Sequence, residues 1–316
     1  MKLDPAVIEL LKLDPENTTV SSAGGGGCSS ASTSKITSKL ADGTEKCFFM
    51  KTGHGKDANI MFEGILDAQF SIKSRYLTPA LGEHASLNAI NSVVPSLCPH
   101  SYGHGCFSSQ PSTSFLVTDF LNLTSRSAAK SNAPSLAAKL AKLHTTPAPM
   151  PDGYDKPMFG FPVTTCCGDT PQENGYRSSW ADFYADNRLR FILRRSEKSN
   201  GADKELANLI ETTASKVVPH LIGNQHLNNG KGVIPVVVHG DLWSGNASVG
   251  TIGNKGGAPE DVIYDSSACY AHSEYELGIM KMFGGFGGSF LTEYHELCPK
   301  TEPVNEYEDR VKLYEL

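Results

Sequence analysis

The chain has 316 residues, 39% of them hydrophobic and 20% charged, with a formal net charge of −6. That length suits two lobes or one large domain built on a real core. An acidic balance without a basic run argues against broad nucleic-acid binding, and no stretch of about 18 apolar residues suggests a membrane span. The first thirteen residues carry early acids, Asp4 and Glu9, and only a short apolar stretch, so they do not read as a secretory signal. The eight cysteines show no disulfide-scaffold spacing. They are expected to be small buried residues in a reducing compartment, with the cytoplasm as the default.

In chain order, residues 5–13 are compatible with a helix. Residues 21–30 are a Gly/Ser-rich loop containing Gly24, Gly25, Gly26, Gly27 and Cys28. Two strand-like runs, 34–40 and 46–51, are joined at Asp42-Gly43, a hairpin signal, and the second ends on Lys51. Residues 80–93 read as a helix carrying Glu83, Leu87 and Ile90. Residues 114–120 read as a buried strand whose end, Asp119-Phe120, is a natural lobe boundary. Leu136, Leu140, Leu143 and His144 share one face of a helix that stops before Pro147. A loop-rich stretch over 145–175 precedes an amphipathic helix over 179–195 and another over 205–221. The continuous β-branched run 233–238 predicts a fully buried strand leading into His239-Gly240-Asp241. A further strand over 262–264 ends at Asp265. The order predicts a β-rich N-lobe over residues 1–121 and a helical C-lobe over 122–316, a two-lobe α+β fold of the protein-kinase-like kind.

Phosphoryl transfer demands a positioned nucleophile, metal-held phosphates and neutralised charge rather than covalent work by the protein. His239-Gly240-Asp241-Leu242-Trp243-Ser244-Gly245-Asn246 sets an Asp and an Asn at the D-x-x-x-x-N spacing of kinase catalytic loops. Asp241 is the expected catalytic carboxylate, accepting the proton of an acceptor hydroxyl. Asn246 and Asp265 are the expected Mg²⁺ ligands, a donor set that suits a cation preferring few carboxylates plus phosphate oxygens. Upstream, Gly24–Gly27 would cover ATP phosphates with backbone N–H groups, and Lys51 stands where a phosphate-pairing lysine belongs. Glu83 and Glu63 compete as its ion-pair partner. Asp119 and Phe120 are assigned to the ATP site, and Trp243 and His239 to the acceptor side.

The catalytic loop, Tyr264-Asp265 and the run Tyr270-Ala271-His272-Ser273-Glu274-Tyr275-Glu276-Leu277 with Met282-Phe283-Gly284-Gly285-Phe286 resemble the fructosamine/ketosamine-3-kinases. Thr165-Cys166-Cys167-Gly168, Pro171-Gln172-Glu173-Asn174, Trp180, Met61-Phe62-Glu63-Gly64 and Gly82-Glu83 with Ala85-Ser86-Leu87 match the same pattern. The resemblance covers nearly the whole chain. It implies an aminoglycoside/choline-kinase-like fold and an ATP- and Mg²⁺-dependent kinase. The acceptor would be the 3-hydroxyl of a ketosamine, ribulosamine or fructosamine, on glycated protein lysines or free amines. The 3-phosphate then makes the adduct eliminate, restoring the amine. It carries the base to Asp241, the metal ligands to Asn246 and Asp265, the phosphate lysine to Lys51 and the helix glutamate to Glu83. Trp243 would lie near the sugar or act as a wedge shaping the loop. His272 and Glu274 would brace a helix or face substrate. Neither nucleic acid nor membrane is an implied partner, and the chain would act as a monomer or homodimer. Within the fold, an aminoglycoside- or choline-type kinase is the alternative, and an impaired pseudokinase or binding module stands outside it.

Three departures stand out. Residues 65–81 intervene before Gly82-Glu83, as a loop or as retained non-coding sequence. Asp265 is followed by Ser266-Ser267 where the pattern has Pro-Ala, and losing the fixed φ of proline predicts a looser loop. The pattern continues past Tyr314 with an aromatic-rich helix where this chain stops at Leu316, which predicts weak nucleotide binding or instability. Elsewhere, Cys98, His100, His104 and Cys106 lack a standard zinc spacing. Cys28 is the candidate redox residue, since phosphate-facing amides lower a thiol pKa.

Overall fold

The computed structural model describes residues 2–23, 31–40, 42–54, 79–125, 133–253 and 257–316. Gly24–Gly27, Cys28, Glu63 and most of the 65–81 segment lie outside them. The chain runs α1 (Pro5–Leu11), β1 (Thr18–Ser22), β2 (Ser32–Lys39), β3 (Glu45–His54), α2 (Pro79–Val93), β4 (Ser101–Cys106), β5 (Thr113–Asp119), β6 (Leu121–Thr124) and α3 (Leu136–Thr145). After β7 (Cys166–Cys167) and β8 (Thr170–Pro171) come α4 (Trp180–Tyr184), α5 (Phe191–Asn200), α6 (Lys204–Thr212) and α7 (Val218–Ile222). The last part holds β9 (Val236–Val238), β10 (Ala247–Ile252), β11 (Glu260–Ile263), β12 (Cys269–Ala271), α8 (Tyr275–Phe283), α9 (Gly288–Leu297) and α10 (Tyr307–Tyr314). These elements fall into two compact units. The first holds 1–133, 163–171 and 247–267, and the second holds 134–162, 172–246 and 268–316.

The first unit is built on an antiparallel sheet in the order β1-β2-β3-β5-β4. The β2–β3 register sets Ile36 against Phe48, and both join Leu3, Val7, Met50, Phe115 and Val117 in one core beneath α1. Asp4 starts α1 by accepting from the Ala6 amide, and its carboxylate also takes the Ser108 and Ser109 amides. One buried acid thereby caps the helix and ties it to the segment after β4. A second sheet, β11-β10-β6, completes the unit. Gly82 in α2 packs where any side chain would collide, because a Cβ there would lie 2.7 Å from the Thr164 carbonyl oxygen.

The second unit is helical around an aromatic core. Trp180, fully buried, stacks with Phe183 and meets Phe159, Tyr184, His272, Tyr275 and Tyr314. Its indole N–H donates to Tyr314 Oη at 2.7 Å, so the polar handle of the largest core residue is satisfied. The two long amphipathic stretches expected from sequence are helical but not uniform. Ala185–Arg190 and Thr213–Val217 form π-helical turns between α4 and α5 and between α6 and α7. Single widened turns of this kind insert a residue and rotate the next helical segment about its axis. The continuous apolar run before His239 is the buried β9, paired antiparallel with β12.

Candidate active site

In the first unit, β3 and α2 bring Lys51 and Glu83 together across 32 residues of sequence, and the turn after β11 supplies Asp265 from 214 residues away. Lys51 Nζ lies 3.0 Å from Glu83 Oε2 and 2.8 Å from Asp265 Oδ1. Burial opposes the charge on Lys51, yet the two carboxylates more than offset it and hold the ammonium above its ordinary value. Burial pushes the Glu83 carboxyl up to about 7, with Lys51 opposing and Asp265 adding. Of the two glutamates left open by the sequence, Glu83 makes the pair. Asp265 sits at φ +58°, in left-handed backbone that non-glycine residues seldom adopt. Ser266 and Ser267 behind it are buried, so the segment is packed rather than loosened by the absence of proline.

In the second unit, β9 ends directly on the loop bearing Asp241. The turn closes on itself: the Trp243 amide donates to the Asp241 carbonyl at 3.1 Å and the Asn246 amide to the Trp243 carbonyl at 2.9 Å. Asn246 Nδ2 donates to the Asp241 carbonyl at 2.9 Å and to Asp241 Oδ2 at 3.2 Å. The five-residue spacing therefore fixes the carboxylate against the carboxamide. With its nitrogen turned to Asp241, Asn246 keeps its amide oxygen for another partner. Gly245 is required for this closure, since a Cβ there would lie 2.1 Å from the Trp243 ring.

Two residues expected at the ligands make bonds within the protein. His239, assigned to the acceptor side, is fully buried, and its Nδ1 accepts the Asp241 amide at 3.2 Å. It has no exposed surface and braces the backbone at Asp241. Asp119 accepts from the His100 amide at 3.1 Å and from Tyr102 Oη at 2.8 Å, so its carboxylate ties β5 to β4. Phe120 accepts the Gly253 amide at its carbonyl and carries Lys35 Nζ 4.5 Å above its ring. Trp243 is half-buried against Phe283, ring centroids 5.6 Å apart. Cys98 is buried with its thiol on the Leu87 carbonyl, whereas His100 is exposed.

Glu276 was missed as an individual residue, although it lies within the family-like run Tyr270–Leu277. Its buried carboxylate accepts the His239 and Gly240 amides, the latter at 3.1 Å, and so clamps the loop just before Asp241. Burial opposes its charge, but His144, His239 and the loop amide hold it below the ordinary glutamate value. Glu274 and His272 are structural. Glu274 meets Arg310 through two bonds of 2.7 and 3.1 Å and accepts the Thr301 amide, while His272 bridges Tyr314 Oη and Thr301 Oγ1. Burial pushes the His272 imidazolium down to about 4.

Among the described residues, no cluster of three His, Cys, Asp or Glu side chains is placed to hold a metal. In the first unit Asp265, 40% exposed at its side chain, offers carboxylate oxygens of the kind a hydrated magnesium ion takes. In the second, the Asn246 amide oxygen is a donor of the same hard class.

Comparison with known proteins bears on the fold and the family. The crystal structure of a candidate fructosamine-3-kinase from Haemophilus somnus superimposes with a TM-score of 0.68 at 18% identity, covering 99% of this chain and 86% of that one. A second, from Thermobifida fusca, gives 0.64 at 21%, covering 99% and 90%. An aminoglycoside phosphotransferase in ternary complex with AMP-PNP and hygromycin B gives 0.51 at 11%, covering 99% and 87%. At these identities the likeness establishes a kinase-like fold. Ketosamine-3-kinase of Mus musculus is 38% identical over 159 residues, 50% of this chain and 46% of that protein, so the match spans about half the mouse enzyme. The chloroplastic protein-ribulosamine 3-kinase of Oryza sativa subsp. japonica is 32% identical over 298 residues, 94% of this chain and 72% of that protein. The model of the fructosamine kinase family matches residues 71–316, and the chain belongs to that family.

Proposed function

We propose that this chain is an ATP-dependent ketosamine 3-kinase, phosphorylating the 3-hydroxyl of ribulosamine or fructosamine adducts on protein lysines or free amines. The observation that carries the reading is the closed Asp241–Asn246 turn, clamped from behind by Glu276 and His239. Its support in sequence is the relatives named ketosamine-3-kinase and protein-ribulosamine 3-kinase.

Each residue's part follows from its surroundings. Asp241, held by backbone and side-chain bonds, accepts the acceptor hydroxyl's proton as the oxygen attacks the γ-phosphorus. Asn246 fixes the carboxylate with its nitrogen and presents its oxygen to a cation. Lys51, kept charged by Glu83, neutralises phosphate oxygens, and Asp265 adds a carboxylate for magnesium. Bound magnesium supplies charge neutralisation on the transferring phosphates. Elimination of the phosphorylated sugar would return a free amine, making the reaction a repair of glycated amines.

The test is MgATP turnover with ribulosyl-lysine, fructosyl-lysine, choline and an aminoglycoside in parallel. Turnover confined to the two ketosamines, and lost by at least about a thousandfold in Asp241→Asn with the thermal melt retained, is expected. Turnover of choline or the aminoglycoside alone would overturn the assignment, and no phosphoryl transfer to any of them would make the chain a binding module.

A further inference from the structure

The end of α8 carries an exposed aromatic residue that no part of the phosphoryl-transfer chemistry explains. Phe283 is 59% exposed, yet its ring lies 5.6 Å from that of Trp243, two residues beyond the catalytic carboxylate. The contact is built in rather than incidental. Glu276, at the start of α8, grips the loop amides before Asp241. Past the end of α8, Gly285 at φ +94° packs so tightly that a Cβ would lie 2.4 Å from Ser244 Cβ. The helix is therefore fixed to the catalytic loop at both ends, and Phe283 and Trp243 keep their relation as that loop positions its acceptor. A single exposed phenylalanine is ordinary by itself; here it is its fixed contact with the Trp243 ring beside Asp241 that gives it a ligand-facing apolar surface.

We infer that Phe283, with Trp243, forms an apolar shelf for the hydrocarbon arm through which the ketosamine nitrogen is attached, and so determines specificity for lysine-borne adducts. The inference rests on the proposed ketosamine activity. In such an acceptor C3 bears the reacting hydroxyl and C1 the nitrogen. With the hydroxyl at Asp241, the nitrogen's substituent leaves the sugar only a few bonds away, within reach of the next side chains on the loop. A lysine arm brings four methylenes, and an open pair of rings is the complement of an aliphatic chain whose polar ends stay in water. The shelf would distinguish acceptors by arm length rather than by the sugar, so its effect belongs in KM.

The test compares two acceptors in the full chain with MgATP: ribulosamine on the side chain of an Nα-protected lysine, and N-methyl ribulosamine. Phe283→Ala should reduce the preference for the lysine adduct, as a ratio of kcat/KM values, about tenfold, with the change carried by KM. Phe283→Leu, which restores an apolar wall, should recover most of it. An equal fall for both acceptors, or no change in the ratio, would overturn the shelf while leaving the kinase assignment intact. Absence of wild-type turnover on both acceptors would overturn the assignment and the shelf together. A fall in the ratio that Phe283→Leu fails to recover would also count against an apolar shelf.

Discussion

At the scale of single residues, the buried acids Glu274 and Glu276 of the second unit support the fold around Asp241. Glu276 shows why a carboxylate is used: two adjacent backbone amides converge on it, and a neutral residue would satisfy them less strongly. Glu276→Leu should leave both amides unpaired, costing about 1–3 kcal/mol per group in a melt and lowering kcat more than it raises KM. Arg310 is fully buried beside a nearly buried Glu274, so Arg310→Met strands a charge in the core. That substitution should cost about 3–5 kcal/mol in denaturant unfolding. Neither residue announces itself in sequence, because a buried ion pair has no local pattern. Asp241 and Asn246 do, since their spacing of five is a local pattern readable along the chain.

At the scale of elements, α8 joins the loop bearing Asp241 to the helical core. Its first turn reaches His239 and Gly240, and its middle lies against the chain's last helix. Gly278 makes that second contact: a Cβ would stand 2.4 Å from the Tyr314 carbonyl oxygen, a backbone atom that cannot turn aside. Gly278→Ala should push α8 and α10 apart and cost roughly 1–3 kcal/mol, read as a lowered melting temperature with a loss of turnover. In sequence Gly278 looks like a weak point in a helix, and only the approach of α10 gives it a reason. The π-helical turns after α4 and α6 were equally hidden, because an inserted residue leaves the amphipathic pattern almost intact over so short a span.

At the scale of the molecule, acid sensitivity follows from a core that holds a neutral imidazole. His272 is buried, and its pKa falls from the ordinary 6.5 to about 4 chiefly through burial. A group depressed on folding contributes its full stability above the unfolded value and loses it as pH falls through the folded one. Stability should therefore drop by about 3 kcal/mol between pH 6.5 and 4 from this residue. Melting temperatures across that window should fall less steeply in His272→Asn than in the wild type. The sequence by itself carried the family, through the short motifs that resemble it, and the Asp241–Asn246 turn, through a local spacing. Tertiary structure alone decided that Lys51 meets Asp265 as well as Glu83, that His239 is buried behind the Asp241 amide, and that Glu276 holds the loop. The Lys51–Asp265 pair joins residues 214 positions apart, and partial burial turns the cost of an unpaired charge into a choice of partner.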